Sequence, residues 1–281
     1  MASLPPLELD EPNQTLEATV PVARGKPRTV RIESAGKNRA AVFVKGRAPG
    51  PRALKDIESA VRHILGLDQD LSEFYEVAAK DPDLSWAAAG AGRMIRSATV
   101  YEEIVKTICT TNCSWALTTK MVGALVEHLG EPALGAPATG PKGRAFPTPV
   151  AMANVPESFY REVVRAGYRG PYFLKLAESV ASGAVDVESL GSAGREELPD
   201  EELDMRLQAL PGIGPYASAH VMTMLGRYSQ LILDSWTRPK FLRVSGMRIA
   251  KDSTILRRFK PYGPYAGLAF WLYLTRDWVD E

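Results

Sequence analysis

Leu210-Pro211-Gly212-Ile213-Gly214-Pro215-Tyr216-Ala217-Ser218-Ala219-His220 is the stretch on which the fold turns. A helix predicted over 201–210 ends on Pro-Gly-Ile-Gly. A second begins at Pro215 and runs to Gly226, with proline in its first turn and glycine at its end. Gly212 and Gly214 allow a tight bend and the close approach of another backbone. The first amides of the second helix have no intrahelical acceptor and lie at the positive end of its dipole. Such a bend holds a phosphate without needing a lysine. A plain connection between two helices could carry the same residues, so the stretch needs support from elsewhere in the chain. Downstream, Leu231-Ile232-Leu233-Asp234-Ser235-Trp236-Thr237-Arg238 sets a carboxylate after three aliphatics, twenty positions beyond Gly214. A carboxylate there is partly withdrawn from water, and its charge is poorly screened. It could equally cap a helix starting at Ser235. The two roles are compatible, because a cap also orients the carboxylate.

The 281 residues amount to about two domains and are ample for a buried core. A hydrophobic fraction of 45% and a charged fraction of 24% exclude disordered, collagen-like and coiled-coil chains. No apolar run approaches the roughly 18 residues that span a bilayer. The beginning, MASLPPLELDEP, is acidic and proline-rich, unlike a signal peptide, so a cytoplasmic location is expected. Cys109 and Cys113 are the two cysteines, too few for a disulfide framework, a four-thiolate zinc site or an iron–sulfur cluster. His63, His128 and His220 lack metal-ligand spacing.

The net charge of +1 conceals blocks. Residues 24–62 carry eleven bases against three acids and 236–262 carry eight against Asp252, whereas 1–20, 66–86 and 184–206 are acidic. A chain neutral overall but basic in blocks can present a positive face to a polyanion, though solvated surfaces have the same pattern. The pattern predicts an α+β, mostly α protein. Residues 1–20 read as a flexible leader. Residues 21–98 read as a small β-containing domain with lead-in helices, its strands Val30–Ile32 and Ala41–Val44 flanking a Gly-Lys-Asn turn. Residues 99–200 form a helical subdomain whose first helices break near Asn112–Ser114, with a loop over 131–149 and a helix near Pro156 capped by Asn154. Residues 201–281 hold the hairpin, Asp234 and an aromatic-rich last helix over Pro264–Trp278.

Four further motifs run in order along the chain: Ile108-Cys109-Thr110-Thr111-Asn112, Phe146-Pro147-Thr148-Pro149, Gly167-Tyr168-Arg169-Gly170-Pro171-Tyr172 and Gly263-Pro264-Tyr265-Ala266-Gly267. Together with the hairpin and its following aspartate, this set resembles the helix–hairpin–helix DNA glycosylase superfamily. It is similar both to the 8-oxoguanine DNA glycosylases and to the bacterial 3-methyladenine DNA glycosylase II branch. The likeness spans roughly residues 50–278, and the N-terminal strands fit the small antiparallel sheet domain of those branches, set beside two helical subdomains. The resemblance implies that Asp234 is the catalytic aspartate. It implies that the amides of Gly212, Gly214 and Ala217 hold DNA phosphates, and that the carbonyls of Gln208, Leu210 and Ile213 bind a structural Na+ or K+. Asn112, Tyr168 and Arg169 are implied to fill the duplex gap and contact the orphaned base, while Arg238 and Lys240 join the DNA contacts from the basic block.

Two departures shape the expected chemistry. Bifunctional members carry a nucleophilic lysine two residues after the second hairpin glycine. Tyr216 stands there, and tyrosine cannot form a Schiff base. The glutamine that reads 8-oxoguanine corresponds to Phe270, which cannot make those hydrogen bonds. The expectation is a monomeric, monofunctional glycosylase of base excision repair that needs no cofactor for catalysis and no membrane. It acts on double-stranded DNA, flipping a damaged base and hydrolysing its N-glycosidic bond with Asp234. An alkylated purine such as 3-methyladenine fits best, held by Tyr216, Trp115, Trp236, Phe270 and Trp271 through stacking and cation–π attraction. The alternatives are an oxidised or deaminated base of the 8-oxoguanine type, or a non-catalytic lesion-binding protein. Against the last, a pure binder has no use for a desolvated carboxylate facing DNA.

Overall fold

The computed structural model describes residues 3–36 and 39–278. Strands β1 (Leu7–Asp10), β2 (Thr15–Val20), β3 (Arg28–Ser34) and β4 (Ala40–Val44) come first. Helices α1 (Pro51–Ile64), α2 (Ser72–Ala78), α3 (Val100–Thr110), α4 (Trp115–Leu129), α5 (Pro149–Ala153), α6 (Glu157–Glu162) and α7 (Gly170–Ala181) follow. After them come α8 (Glu188–Ser192), α9 (Asp200–Gln208), α10 (Pro215–Met224), α11 (Thr237–Ser245), α12 (Asp252–Phe259) and α13 (Ala266–Thr275). The α+β, mostly α expectation holds. Among the described residues no helix is long and apolar enough to cross a membrane. The chain forms two compact units, each discontinuous in sequence.

The first unit comprises residues 1–65, 95–192 and 210–212. Its sheet is a β1-β2-β3-β4 antiparallel meander. Register places Leu16 opposite Ile32 and Ala18 opposite Val30. Strand alternation then turns Leu7, Leu16, Ala18, Val20, Val30 and Ile32 onto one face, where Ile57, Val61 and Ile64 of α1 cover them. The stretch expected to be a flexible leader therefore supplies two strands of this sheet, because its aliphatics alternate with acids at the period of a strand. Lys37 and Asn38 of the expected Gly-Lys-Asn turn lie outside the described residues.

Helix α3 is buried from Val100 to Cys109, charged residues included. Lys106 Nζ lies 2.6 Å from Glu102 Oε1 and donates to the Leu4 carbonyl at 3.2 Å, so the buried ammonium fastens the start of the chain to α3. Burial raises the Glu102 carboxyl above the usual range against the opposing pull of Lys106. Asn154 does not cap the helix near Pro156. It closes α5, which Thr148 Oγ1 caps by accepting from the Ala151 amide, and α6 begins after Pro156 with no side-chain cap.

The second unit comprises residues 66–94, 193–209 and 213–281. Segment 66–94, which the sequence joins to the N-terminal domain, instead buries Leu71, Phe74, Leu84 and Ala87 against Phe241, Phe259, Phe270 and Tyr273 of the C-terminal helices. An amphipathic pattern shows that a helix has an apolar face, but not which partner covers it. Asp81 accepts from Arg258 at 2.9 Å and from the Tyr262 hydroxyl at 2.5 Å, tying the same segments by polar contacts. The Gly263-Pro264-Tyr265-Ala266-Gly267 motif acquires a physical reason here. The Gly267 amide donates to the Tyr228 carbonyl at 2.7 Å, and a methyl on Gly267 would fall on the Gln230 carbonyl. That glycine lets α13 lie on the backbone that leads into Leu231–Asp234.

Candidate active site

The hairpin is the connection between α9 and α10. Ser218 Oγ donates to Asp204 Oδ1 at 2.5 Å, and Gln208 Nε2 donates to the same oxygen at 2.9 Å. Burial acts to raise the Asp204 carboxyl, but the hydrogen bonds from Ser218, Gln208 and Gln230 outweigh it and hold it below the usual range. At the bend Gly212 has φ +81°, and a Cβ there would stand 3.0–3.1 Å from the Tyr172 side chain. Gly214 differs. It precedes α10 without any side-chain cap, and a Cβ built on it meets nothing within 4 Å. Gly212 is required by the protein's own packing. The space at Gly214 lies open beside amides that have no intrahelical acceptor. Ala217 is buried in the first turn of α10, and the Tyr216 ring lies 6.1 Å from that of His220, one turn on. No hydrogen bond from a described residue falls on the carbonyls of Leu210 or Ile213.

Asp234 ends an apolar run whose Leu231 and Leu233 pack on the aromatic core of the second unit. Its Oδ1 accepts from the Trp236 amide at 2.9 Å and the Thr237 amide at 2.7 Å. In return the Asp234 amide donates to Thr237 Oγ1 at 2.8 Å. This reciprocal cap opens α11 two residues later than the expected start at Ser235. One carboxylate oxygen is thereby fixed, and the other accepts no hydrogen bond from a described residue. The carboxylate is half-buried and its orientation is set by backbone.

Beyond it, the Trp236, Trp271 and Trp278 rings pack together, with centroids 5.7 Å, 5.9 Å and 6.1 Å apart. Trp236 is 41% exposed and Trp278 is 57% exposed, so the cluster offers ring faces to a ligand. Trp278 escaped the sequence reading, although its spacing of seven from Trp271 places it two helical turns along the same face.

Other candidates fall elsewhere. Phe270 is 1% exposed and packs on Phe259 at 5.2 Å. It is a core residue and leaves the pocket set, because its side of α13 faces the helices covering it. Lys240 is likewise withdrawn: its ammonium is buried and sits 2.5 Å from Asp277 Oδ2. Arg238 is exposed but held bidentately by Asp252 at 2.8 and 2.9 Å.

Within the first unit, three residues named by the resemblance come together. Asn112 stands exposed on the bend between α3 and α4 with φ +47°, a conformation asparagine tolerates. Its Nδ2 donates to the Tyr168 hydroxyl at 3.2 Å, and Thr111 Oγ1 lies 3.3 Å from that hydroxyl. Burial works to raise the Tyr168 phenol, yet these hydrogen bonds and the Arg169 charge outweigh it and lower its pKa. Arg169 stacks on the Tyr168 ring at 4.5 Å. Its guanidinium is buried and donates to the carbonyls of Ile108, Ala166 and Thr111, so it holds Tyr168 and the bend in place rather than reaching outward. Trp115, in the first turn of α4, is largely exposed. Cys109 is buried, which pushes its thiol up to about 12; it packs and does not react.

The structure thus joins a four-stranded meander, a glycine bend between α9 and α10, and an aspartate capping the helix that follows an apolar run. No protein-family model matches the sequence, and no curated protein matches it. Solved structures do match. The chain is similar to a 3-methyladenine DNA-glycosylase from Archaeoglobus fulgidus, with a TM-score of 0.73 at 20% identity, covering 99% of this chain and 92% of that one. It is similar to the Clostridium acetobutylicum 8-oxoguanine glycosylase/lyase in complex with double-stranded DNA containing cytosine opposite 8-oxoguanine. That match has a TM-score of 0.69 at 18% identity and covers 96% of this chain and 87% of that one. A DNA-3-methyladenine glycosidase from Bacillus halodurans matches at a TM-score of 0.51 and 22% identity, over 74% of this chain and 91% of that one. Both branches named from the motifs thus share this chain's fold.

Proposed function

We propose that the chain is a monofunctional DNA glycosylase that extrudes a damaged base from double-stranded DNA and hydrolyses its N-glycosidic bond. The observation that carries this reading is Asp234, with one oxygen committed to the helix cap and the other uncommitted, after a glycine bend with an open amide face. Base extrusion costs a few kcal/mol. Phosphate contacts at the Gly212–Ala217 bend offset it, and Asn112 and Tyr168 fill the gap left behind. Breaking the C1′–N bond sends its electron pair to the leaving base and builds positive charge on the sugar. The ionised Asp234 stabilises that charge and orients a water. The water oxygen bonds to C1′ and its proton leaves to the carboxylate or to solvent.

An alkylated purine is cationic at the start and leaves neutral, so no general acid is needed. The tryptophan faces suit a cationic base by stacking and cation–π attraction. With Phe270 in the core, no glutamine-like reading of 8-oxoguanine comes from that position. Tyr216 has no amine, so no lyase step follows. The carbonyls of Gln208, Leu210 and Ile213 would hold a Na+ or K+, which supplies positive charge at the bend and no chemistry at the sugar.

A panel of duplex oligonucleotides, each with one lesion, tests the reading by abasic-site formation on alkali treatment. Release of 3-methyladenine in preference to 8-oxoguanine, with no borohydride-trapped protein–DNA adduct, is expected. Preference for 8-oxoguanine would move the substrate to an oxidised base. A trapped adduct would overturn the monofunctional assignment, and release of no base would leave a lesion-binding protein.

A further inference from the structure

Both basic blocks of the sequence leave cations exposed. In 236–262, Arg238 is taken by Asp252, Lys240 by Asp277, and Arg258 by Asp81 and Asp83, while Arg243, Arg248, Lys251, Arg257 and Lys260 stay exposed. In 24–62, the side chains of Arg24, Lys26, Arg47, Arg52 and Lys55 are exposed, and none forms an ion pair with a described residue.

These five are gathered at one end of the sheet. The Ala23 amide donates to Asp56 Oδ2 at 2.9 Å, setting Arg24 beside the first turns of α1, which carry Arg52 and Lys55. Arg28 donates to the carbonyls of Lys45 and Arg47, clipping the residues after β4 to the start of β3. Of the three acids in 24–62, Glu33 pairs with Arg31, whereas Asp56, which accepts from the Ala23 amide, and Glu58 keep their charges on α1, two against the five bases. Five cations held near one another by backbone clips against two acids leave a net positive surface whose like charges repel. Their concentration is explained by an anionic partner with regularly spaced charges.

We propose that Arg24, Lys26, Arg47, Arg52 and Lys55 form a DNA-binding surface within the first unit that grips duplex phosphates without reading sequence. The proposal rests on the reading that this chain acts on DNA. Each phosphate contact contributes a slope of about −0.9 to log K against log salt.

The test replaces all five with glutamine and measures affinity for an undamaged duplex across about 50–200 mM salt, where such contacts dominate. A fall in the magnitude of the slope by about 4 to 5 is expected, with at least a tenfold loss of affinity at the lowest salt. Single-turnover base release at saturating enzyme should be unchanged. The pairs Arg24→Gln/Lys26→Gln and Arg52→Gln/Lys55→Gln, made separately, should each lower the slope by about 1 to 2 and serve if the fivefold variant is unstable. An unchanged slope overturns the proposal. So does loss of binding to vesicles rich in anionic lipid while the duplex slope stays as in the wild type, which would make the surface a membrane contact. If the wild type releases no base yet the slope falls as stated, the surface stands and the glycosylase reading fails.

Discussion

Replacing Gly212 and Gly214 separately with alanine should separate a packing glycine from a ligand glycine. Gly212 has φ +81°, and its added methyl would lie 3.0–3.1 Å from three Tyr172 side-chain atoms. The left-handed backbone costs an alanine roughly 1–2 kcal/mol. Crowding against a ring that must shift by a few tenths of an ångström adds on the order of 1 kcal/mol or more. The lower entropy of the unfolded alanine chain returns about 0.4–1 kcal/mol. Gly212→Ala should therefore destabilise by about 1.5–3 kcal/mol, a fall in Tm of roughly 3–5 °C for a chain of this size. At Gly214 a methyl meets nothing within 4 Å. Alanine's poorer N-capping there opposes the same entropic gain, so stability should stay within about 1 kcal/mol of wild type. Affinity for duplex DNA should nonetheless fall, because the methyl occupies the space through which a phosphate reaches the amides. Thermal melts paired with duplex titrations measure both quantities. Equal destabilisation by the two substitutions, or wild-type DNA affinity in Gly214→Ala, would refute the division of roles.

Glu102→Gln strands the buried Lys106 ammonium and should cost about 3–5 kcal/mol in urea unfolding; a loss below about 1 kcal/mol would mean that water reaches the pair. Asp204 and Asp81 both titrate below the usual carboxylate range in the folded chain, so the stability they confer is fully present above the unfolded value of about 3.9. It is lost as the pH falls through their folded values. The urea midpoint should drop below about pH 4, and it should drop less in Asp204→Asn; an Asp204→Asn midpoint that falls as steeply as wild type would contradict this. Trp278→Ala should raise KM for a cationic alkylated purine more than for a neutral lesion, since a cation loses more when a ring face is removed. An equal effect on both would make Trp278 a packing residue.

Sequence pattern disclosed local features well and spatial partners poorly. The hairpin was legible because Pro-Gly-Ile-Gly-Pro is dictated by backbone geometry, and the break at Asn112 because Ser114 caps α4. The sheet's first two strands were hidden by the prolines and acids around them, although Leu7, Leu9, Leu16 and Ala18 alternate correctly. Phe270, Lys240 and Arg169 were misplaced for one reason. An aromatic or a cation has the same letter whether it faces solvent, a core or a carboxylate, and only the packing of α13 against Phe241 and Phe259, or of Asp277 against Lys240, decides. The reciprocal cap of Asp234 and Thr237 was half legible: the aspartate announced a helix start, while the threonine three residues on went unread.

Base release by Asp234→Asn tests the central claim most directly. Asparagine keeps a side-chain oxygen for the Trp236 and Thr237 amides, so α11, the melting temperature and duplex affinity should stay close to wild type. Without a negative charge beside the sugar, single-turnover release should fall by about a hundredfold or more. Release within a fewfold of wild type, in a variant shown to be folded and DNA-bound, would contradict the assignment of Asp234 as the group that stabilises the cleaving bond.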